Sequence, residues 1–371
     1  MTTQRIEAFL AKLFLCLLAA LLAFAAVELV ARKFITTRSP IERRFPVKHY
    51  RHPRPYVMFS GKPSAHKLNE MGYRGEAPSP DKGVGEFRIF FLGGSTVANG
   101  TPPISDLVER LFAERHMPEV RVHNFGVVSS VSSMELVKIV TEIADLKPDM
   151  IVMYNGGNDI LHPYSWDPRP GYPFNFAMYE RNVLTLQAGE YPGFSLFAFE
   201  SAILRLAFRD YFLNEFVQLE AIRQETGYNS EDWKKRVADI YVRNLDKAHT
   251  ISKAFGAEFF AFFQPLVYFK DPLSPDEFQL VGNDKKAQFC REMRERVLKK
   301  LPPLDQQGFH FVDLSTIYAG EIRPVFKDAI HTLQDAKPTV ATAIFEAVLP
   351  YVSLGGKNEK RPNKPDPSDG L

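Results

Sequence analysis

Four short segments of this chain carry residue types suited to acyl transfer. Ser95 follows the apolar run Phe87-Arg-Ile-Phe-Phe-Leu92 and the pair Gly93-Gly94. Two glycines allow a sharp turn and close approach by other groups, and the first N–H groups of a helix have no partner within it. A serine at such a turn has the makings of a nucleophile whose own N–H helps hold an oxyanion. Taken alone, it reads equally well as a helix cap. The other segments are Asn124-Phe125-Gly126, Gly156-Gly157-Asn158-Asp159 and Lys327-Asp328-Ala329-Ile330-His331. They offer a backbone N–H at a glycine, a side-chain amide, and an imidazole with a carboxylate three residues before it. An activated oxygen, a base, an acid that orients the base and oxyanion donors are what a serine acyl-transfer site requires. Each group has a plainer reading by itself: His331 as a structural histidine, Asp328 as a cap, Asn158 as a turn residue, Gly126 as a packing glycine.

Their placement among the elements favours the functional reading. Apolar, β-branched and aromatic runs predict buried strands over 87–92, 120–124, 150–154, 258–263 and 309–314. Helical patterns fall over 104–115, 133–146 (with a serine cap), 234–255, 287–301 and 339–349. Such alternation predicts an α/β fold, a parallel sheet covered on both faces. Ligands in these sheets sit at the C-terminal strand edge, where all four segments fall. Residues 160–230, rich in aromatics and proline, interrupt the rhythm directly after Asn158 and are expected to form a lid-like insertion; an extra helical layer is the alternative.

The order Gly-Gly-Ser95-Thr, Asn124-x-Gly126, Gly156-x-Asn158-Asp159 and Asp328-x-x-His331 resembles the four blocks of the SGNH (GDSL-type) hydrolase superfamily, over about residues 68–352. Asn69-Glu-Met-Gly-Tyr-Arg-Gly75 and the strand before Ser95 resemble its membrane-anchored bacterial branch. The resemblance implies a three-layer α/β/α sandwich on a five-stranded parallel sheet, with no metal or organic cofactor. It implies Ser95 as nucleophile, His331 as base, Asp328 as the residue orienting it, and an oxyanion hole of the Ser95 and Gly126 N–H groups with the Asn158 amide. Two positions depart from the pattern: Gly94 replaces the family's Asp, and no glycine opens the last helix after His331. The function implied is a serine esterase working through an acyl-enzyme on O-acyl esters. An O-acetyltransferase or deacetylase of envelope or exported polysaccharide, and a non-catalytic binding or assembly protein on the same fold, are the alternatives.

Composition closes off other classes. With 46 basic and 44 acidic residues, nothing marks a nucleic-acid binder. Cys16 and Cys290 are too few for a disulfide framework, His123 and His162 lack carboxylates at useful spacing, and no cluster has metal-ligand spacing. No phosphate-binding glycine motif is present. The run over 13–27 has no charge, and residues 8–31 as one helix are long enough for a bilayer. Residues 28–32 match a cleavage site poorly, so residues 1–34 read as an uncleaved single-pass anchor, with a cleaved signal peptide as the alternative. Basic residues after the run (Arg32, Lys33, Arg38, Arg43, Arg44, Lys48) would by themselves hold the domain inside the cell, yet long domains translocate largely regardless of flanking charge; an extracytoplasmic domain is expected. Residues 35–84 read as a juxtamembrane connector, near whose end Leu68–Gly75 reads as a defined turn packing on the domain, 85–354 as the hydrolase-like domain, and 355–371 as a disordered tail. Expected partners are the bilayer and an ester or acylated glycan.

Overall fold

A computed structural model describes residues 3–34, 51–177, 179–180, 201–207, 219–282, 284–301 and 309–352. It separates into two compact units, one of Met1–Lys48 with Asn175–Thr226 and one of His49–Phe174 with Gly227–Leu371.

The second unit is built on a five-stranded parallel sheet of β3 (Phe87–Gly93), β4 (Val120–Asn124), β5 (Met150–Asn155), β6 (Glu258–Phe263) and β7 (His310–Asp313), in the order β4-β3-β5-β6-β7. Every residue of β3 and β5 is buried, as expected of central strands covered on both faces. One layer holds the helices Ile104–Glu114 and Lys337–Val348, which pack together; the other holds Ser132–Lys138, Glu231–Ala254 and Asp284–Leu298. This is the three-layer α/β/α sandwich. Chain order reverses between β3 and β5, which places the crevice at their C-terminal ends.

The predicted strands all form, with ends shifted by a residue at most. The predicted serine-capped helix differs in its start. It begins at Ser132 with no side-chain cap and continues as a π-turn over Ile139–Ile143 and a 3-10 turn over Ala144–Leu146. The Ser132 hydroxyl is drawn off to Asp159.

Residues 51–84, expected as connector, belong to the sheet unit. They form a two-stranded hairpin of β1 (His52–Arg54) and β2 (Met58–Ser60) and pack on the core. Tyr73 stacks on Phe125 at 4.3 Å between centroids and donates to Glu142 at 2.6 Å. Arg88, in β3 and 1% exposed, ties the same stretch down. Its guanidinium grips the Glu86 carboxylate (2.9 and 3.0 Å) and the carbonyls of Ser79, Asp81 and Leu146.

In the first unit, the helix Thr3–Phe34 is long and apolar enough to cross a membrane and exposes Phe9, Leu21 and Leu29. Near its end, Glu28 is buried and caps the helix Ala202–Ala207, accepting from Ala202 N–H (2.7 Å), Ile203 N–H (3.2 Å) and the Ser201 hydroxyl (2.8 Å). The expected insertion therefore divides, with 160–174 in the sheet unit and 175–226 in this one. The expected tail at 355–371 lies outside the described residues.

Replacing Arg88 by Met strands a carboxylate and three carbonyls. The urea midpoint of the full-length protein is expected to fall by the equivalent of about 3 kcal/mol; an unchanged midpoint would show that the staple contributes nothing.

Candidate active site

The end of β3 is shaped by what cannot fit there. A Cβ on Gly93 would lie 2.3 Å from the Tyr154 carbonyl oxygen, and one on Gly94 would lie 2.4 Å from Asn158 Nδ2. The chain turns through this gap into the short helix Ser95–Ala98, and Ser95 is its first residue. The Asn158 amide thus occupies the room a side chain at position 94 would need. One of its two N–H groups donates to the Ser130 carbonyl at 2.7 Å, and the second is left to the site.

The loop 325–333 brings an imidazole to Ser95. His331 Nε2 and Ser95 Oγ are 2.6 Å apart, and His331 Nδ1 lies 2.8 and 2.9 Å from the two Asp328 oxygens. A carboxylate on Nδ1 fixes the proton there and leaves Nε2 to accept from the serine. Asp328 also accepts from the Ile330 and His331 N–H groups (2.9 and 2.8 Å). Partial burial pushes its pKa up, but the imidazole and these N–H groups outweigh that and hold it at about 2. It therefore stays ionised across the neutral range.

Two buried carboxylates brace these pieces. Glu277, fully buried, accepts from the Val325 and Phe326 N–H groups (2.8 and 3.1 Å) at the root of the loop carrying Asp328 and His331. It pairs with buried Lys270 at 2.6 Å and closes a capping box with Ser274. Burial raises its pKa, while Lys270 and the N–H groups pull it down further, to about 2. Asp159, next to Asn158, accepts from the Ser132 N–H (3.0 Å) and hydroxyl (2.5 Å), anchoring the 129–132 loop that Asn158 also holds. Its burial pushes it up to about 6 against the pull of Ser132.

Gly126 does not join the Ser95 group. Its N–H donates to Asn124 Oδ1 at 3.0 Å, and a Cβ on it would lie 2.6 Å from the Ala98 nitrogen. Here it is a packing glycine. Asn124 in turn donates to the Val97 carbonyl and Ser105 hydroxyl, both at 2.9 Å, which fixes the helix after the nucleophile. In the same loop Ser129, next to Ser130, is held at φ +65°, a region few non-glycine residues adopt. Among the described residues neither its N–H nor that of Ser95 donates a hydrogen bond. Arg51 donates to the Ser129 hydroxyl at 2.7 Å.

His123 and His162 are both buried. Burial, reinforced by Arg88 and Arg51 respectively, lowers them to about 4 and about 3, so both stay neutral. Among the described residues no cluster of His, Cys, Asp and Glu is arranged to hold a metal ion.

No protein-family model and no curated protein matches the chain. Solved structures do. A GDSL-like lipase from Bacteroides thetaiotaomicron shares 11% identity at a TM-score of 0.40, over 73% of this chain and 93% of its own. An acetylxylan esterase from Geobacillus stearothermophilus, as a catalytic mutant, shares 12% at 0.42, over 72% and 96%. The acetyl xylan esterase AlAXEase shares 10% at 0.39, over 71% and 100%. Such low identities and TM-scores leave the chemistry to be argued from the residues of the site.

Two variants test its construction. Gly94→Ala presses on the Asn158 amide and its bond to the Ser130 carbonyl, and the urea midpoint is expected to fall by the equivalent of about 1–3 kcal/mol; an unchanged midpoint would show that the amide yields without cost. Asp159→Asn probes the raised carboxyl. The folded protein binds that proton more tightly than the unfolded chain, so its stabilising share is present below the unfolded pKa of about 3.9 and lost as pH rises through about 6. The stability advantage of wild type over Asp159→Asn in urea should shrink between about pH 4 and 6; a flat difference contradicts the assignment.

Proposed function

We propose that the sheet domain is a serine esterase of the SGNH type, acting on short O-acyl esters through an acyl-enzyme. The observation that carries this reading is the continuous Ser95–His331–Asp328 hydrogen-bond chain at the switch between β3 and β5.

In this reading Ser95 Oγ attacks the ester carbonyl carbon while His331 Nε2 takes its proton, and Asp328 steadies the imidazolium that forms. Charge builds on the carbonyl oxygen beside the Ser95 N–H and the Asn158 amide, with the Ser129 N–H as the third donor in place of Gly126. His331 then returns the proton to the departing alkoxide, which leaves as the alcohol. A water, deprotonated by His331, releases the acid from the acyl-enzyme. Asn158 acts here and as a brace at once, since one amide nitrogen carries both N–H groups.

The pocket containing Ser95 and His331 is about 200 Å³, lined in part by Tyr154, Ile104 and Leu333. The helix Thr3–Phe34 supports tethering of the domain to a membrane.

Ser95→Ala in the full-length protein should lower turnover of p-nitrophenyl acetate by about 10⁴-fold or more and abolish labelling by a fluorophosphonate probe, with circular dichroism unchanged. Retained turnover in that variant would sink the esterase assignment.

A further inference from the structure

The pocket around Ser95 and His331 is lined by Lys327 and Lys337, and no aspartate or glutamate lines it. Lys337 is only 7% exposed. Its ammonium donates to the Asn99 carbonyl at 2.6 Å, and a Cβ on Gly100 would lie 2.3 Å from Nζ, so the amine is nested in the backbone of the 99–100 loop. Behind that loop, Arg74 donates to the Gly100 carbonyl at 2.9 Å. Among the described residues neither Lys327 nor Lys337 has a carboxylate partner.

This is an unfavourable place for an uncompensated cation. Burial, Lys327 and Arg74 together lower Lys337 to about 8. Lys337 also opens the helix Lys337–Val348, at the end where backbone dipoles already present positive charge. A carbonyl oxygen satisfies one of its three donors and neutralises none of its charge. An anion in the pocket would relieve all of these effects at once, through a charge-assisted hydrogen bond in a water-poor setting.

Building on the esterase reading, we infer that the alcohol portion of the substrate carries an anionic group, a carboxylate or a phosphate, that docks on Lys337 and Lys327 while the acyl carbonyl meets Ser95. An acylated acidic sugar fits this description, and a neutral acetylated sugar does not. Selection then comes from charge at the pocket wall.

Three acetyl esters with one aromatic core test it on the full-length protein in detergent: 4-acetoxybenzoate, its neutral amide 4-acetoxybenzamide, and 4-acetoxyphenyl phosphate. Wild type should favour at least one anion over the amide by about tenfold or more in kcat/KM, and whichever anion leads identifies the group. Lys337→Met, and separately the surface variant Lys327→Met, should each shrink that ratio several-fold, and added salt should do the same. Equal rates on all three esters in wild type would overturn the inference. So would a Lys337→Met variant that loses activity on the anion and the amide alike, since the lysine would then only prop the 99–100 loop. Activity on all three esters surviving Ser95→Ala would instead overturn the esterase reading beneath it.

Discussion

The site depends on an absence of atoms. Where β3 meets β5, the backbone at Gly93 and Gly94 comes so close to Tyr154 and Asn158 that no side chain fits at either position. That closeness puts Ser95, the Asn158 amide and the Ser130 carbonyl within one small volume. Glycine costs backbone entropy on folding, so such a junction persists only where the surrounding structure holds it. The all-buried strands on either side do so, and the hydrogen bonds that continue β3 into the 125–127 loop extend their grip past the strand ends (Phe125 N–H to Phe91, 2.7 Å; Val127 N–H to Gly93, 3.0 Å).

Around that junction Asp328 and His331 ride on a loop, and buried charges brace the surrounding backbone. Glu277 gathers two N–H groups from the root of the His331 loop, and Asp159 gathers Ser132 from the loop facing it. A buried carboxylate is expensive to desolvate, and a fully bonded one confines its partners to a narrow geometry. The two braces differ in how far they are compensated. Glu277 has Lys270 and stays ionised, whereas Asp159 has only neutral donors and holds its proton into the mildly acidic range.

Much of this was legible in the residue order. The strands announced themselves because buried parallel strands are written as continuous apolar runs, and Ser95, Asp328 and His331 because each stands just past such a run or its loop. What escaped depended on side chains reaching back to the backbone. The Asn124 side chain claims the Gly126 N–H, so the glycine that looked like a free donor has its N–H already bonded, while Ser129 sits at a φ that no local pattern betrays. The Ser274-Pro-Asp-Glu277 capping box could be seen in the sequence, but nothing local says that Glu277 also serves a loop some 50 residues on. Outside the 68–75 turn, proline-rich residues 51–84 look like linker because their order comes from other segments, such as the Arg88 guanidinium that holds the Ser79 and Asp81 carbonyls.

The Glu28 cap gives the anchor helix a second identity. A carboxylate near the end of an apolar span is costly unless it is bonded, and here its bonds go to the first turn of Ala202–Ala207. The helix that would hold the protein to a membrane is therefore also a structural member of the 175–226 insertion. A soluble version made by cutting after residue 34 would leave Ser201 and the N–H groups of Ala202 and Ile203 without their acceptor. Removing that helix is thus an operation on the fold itself.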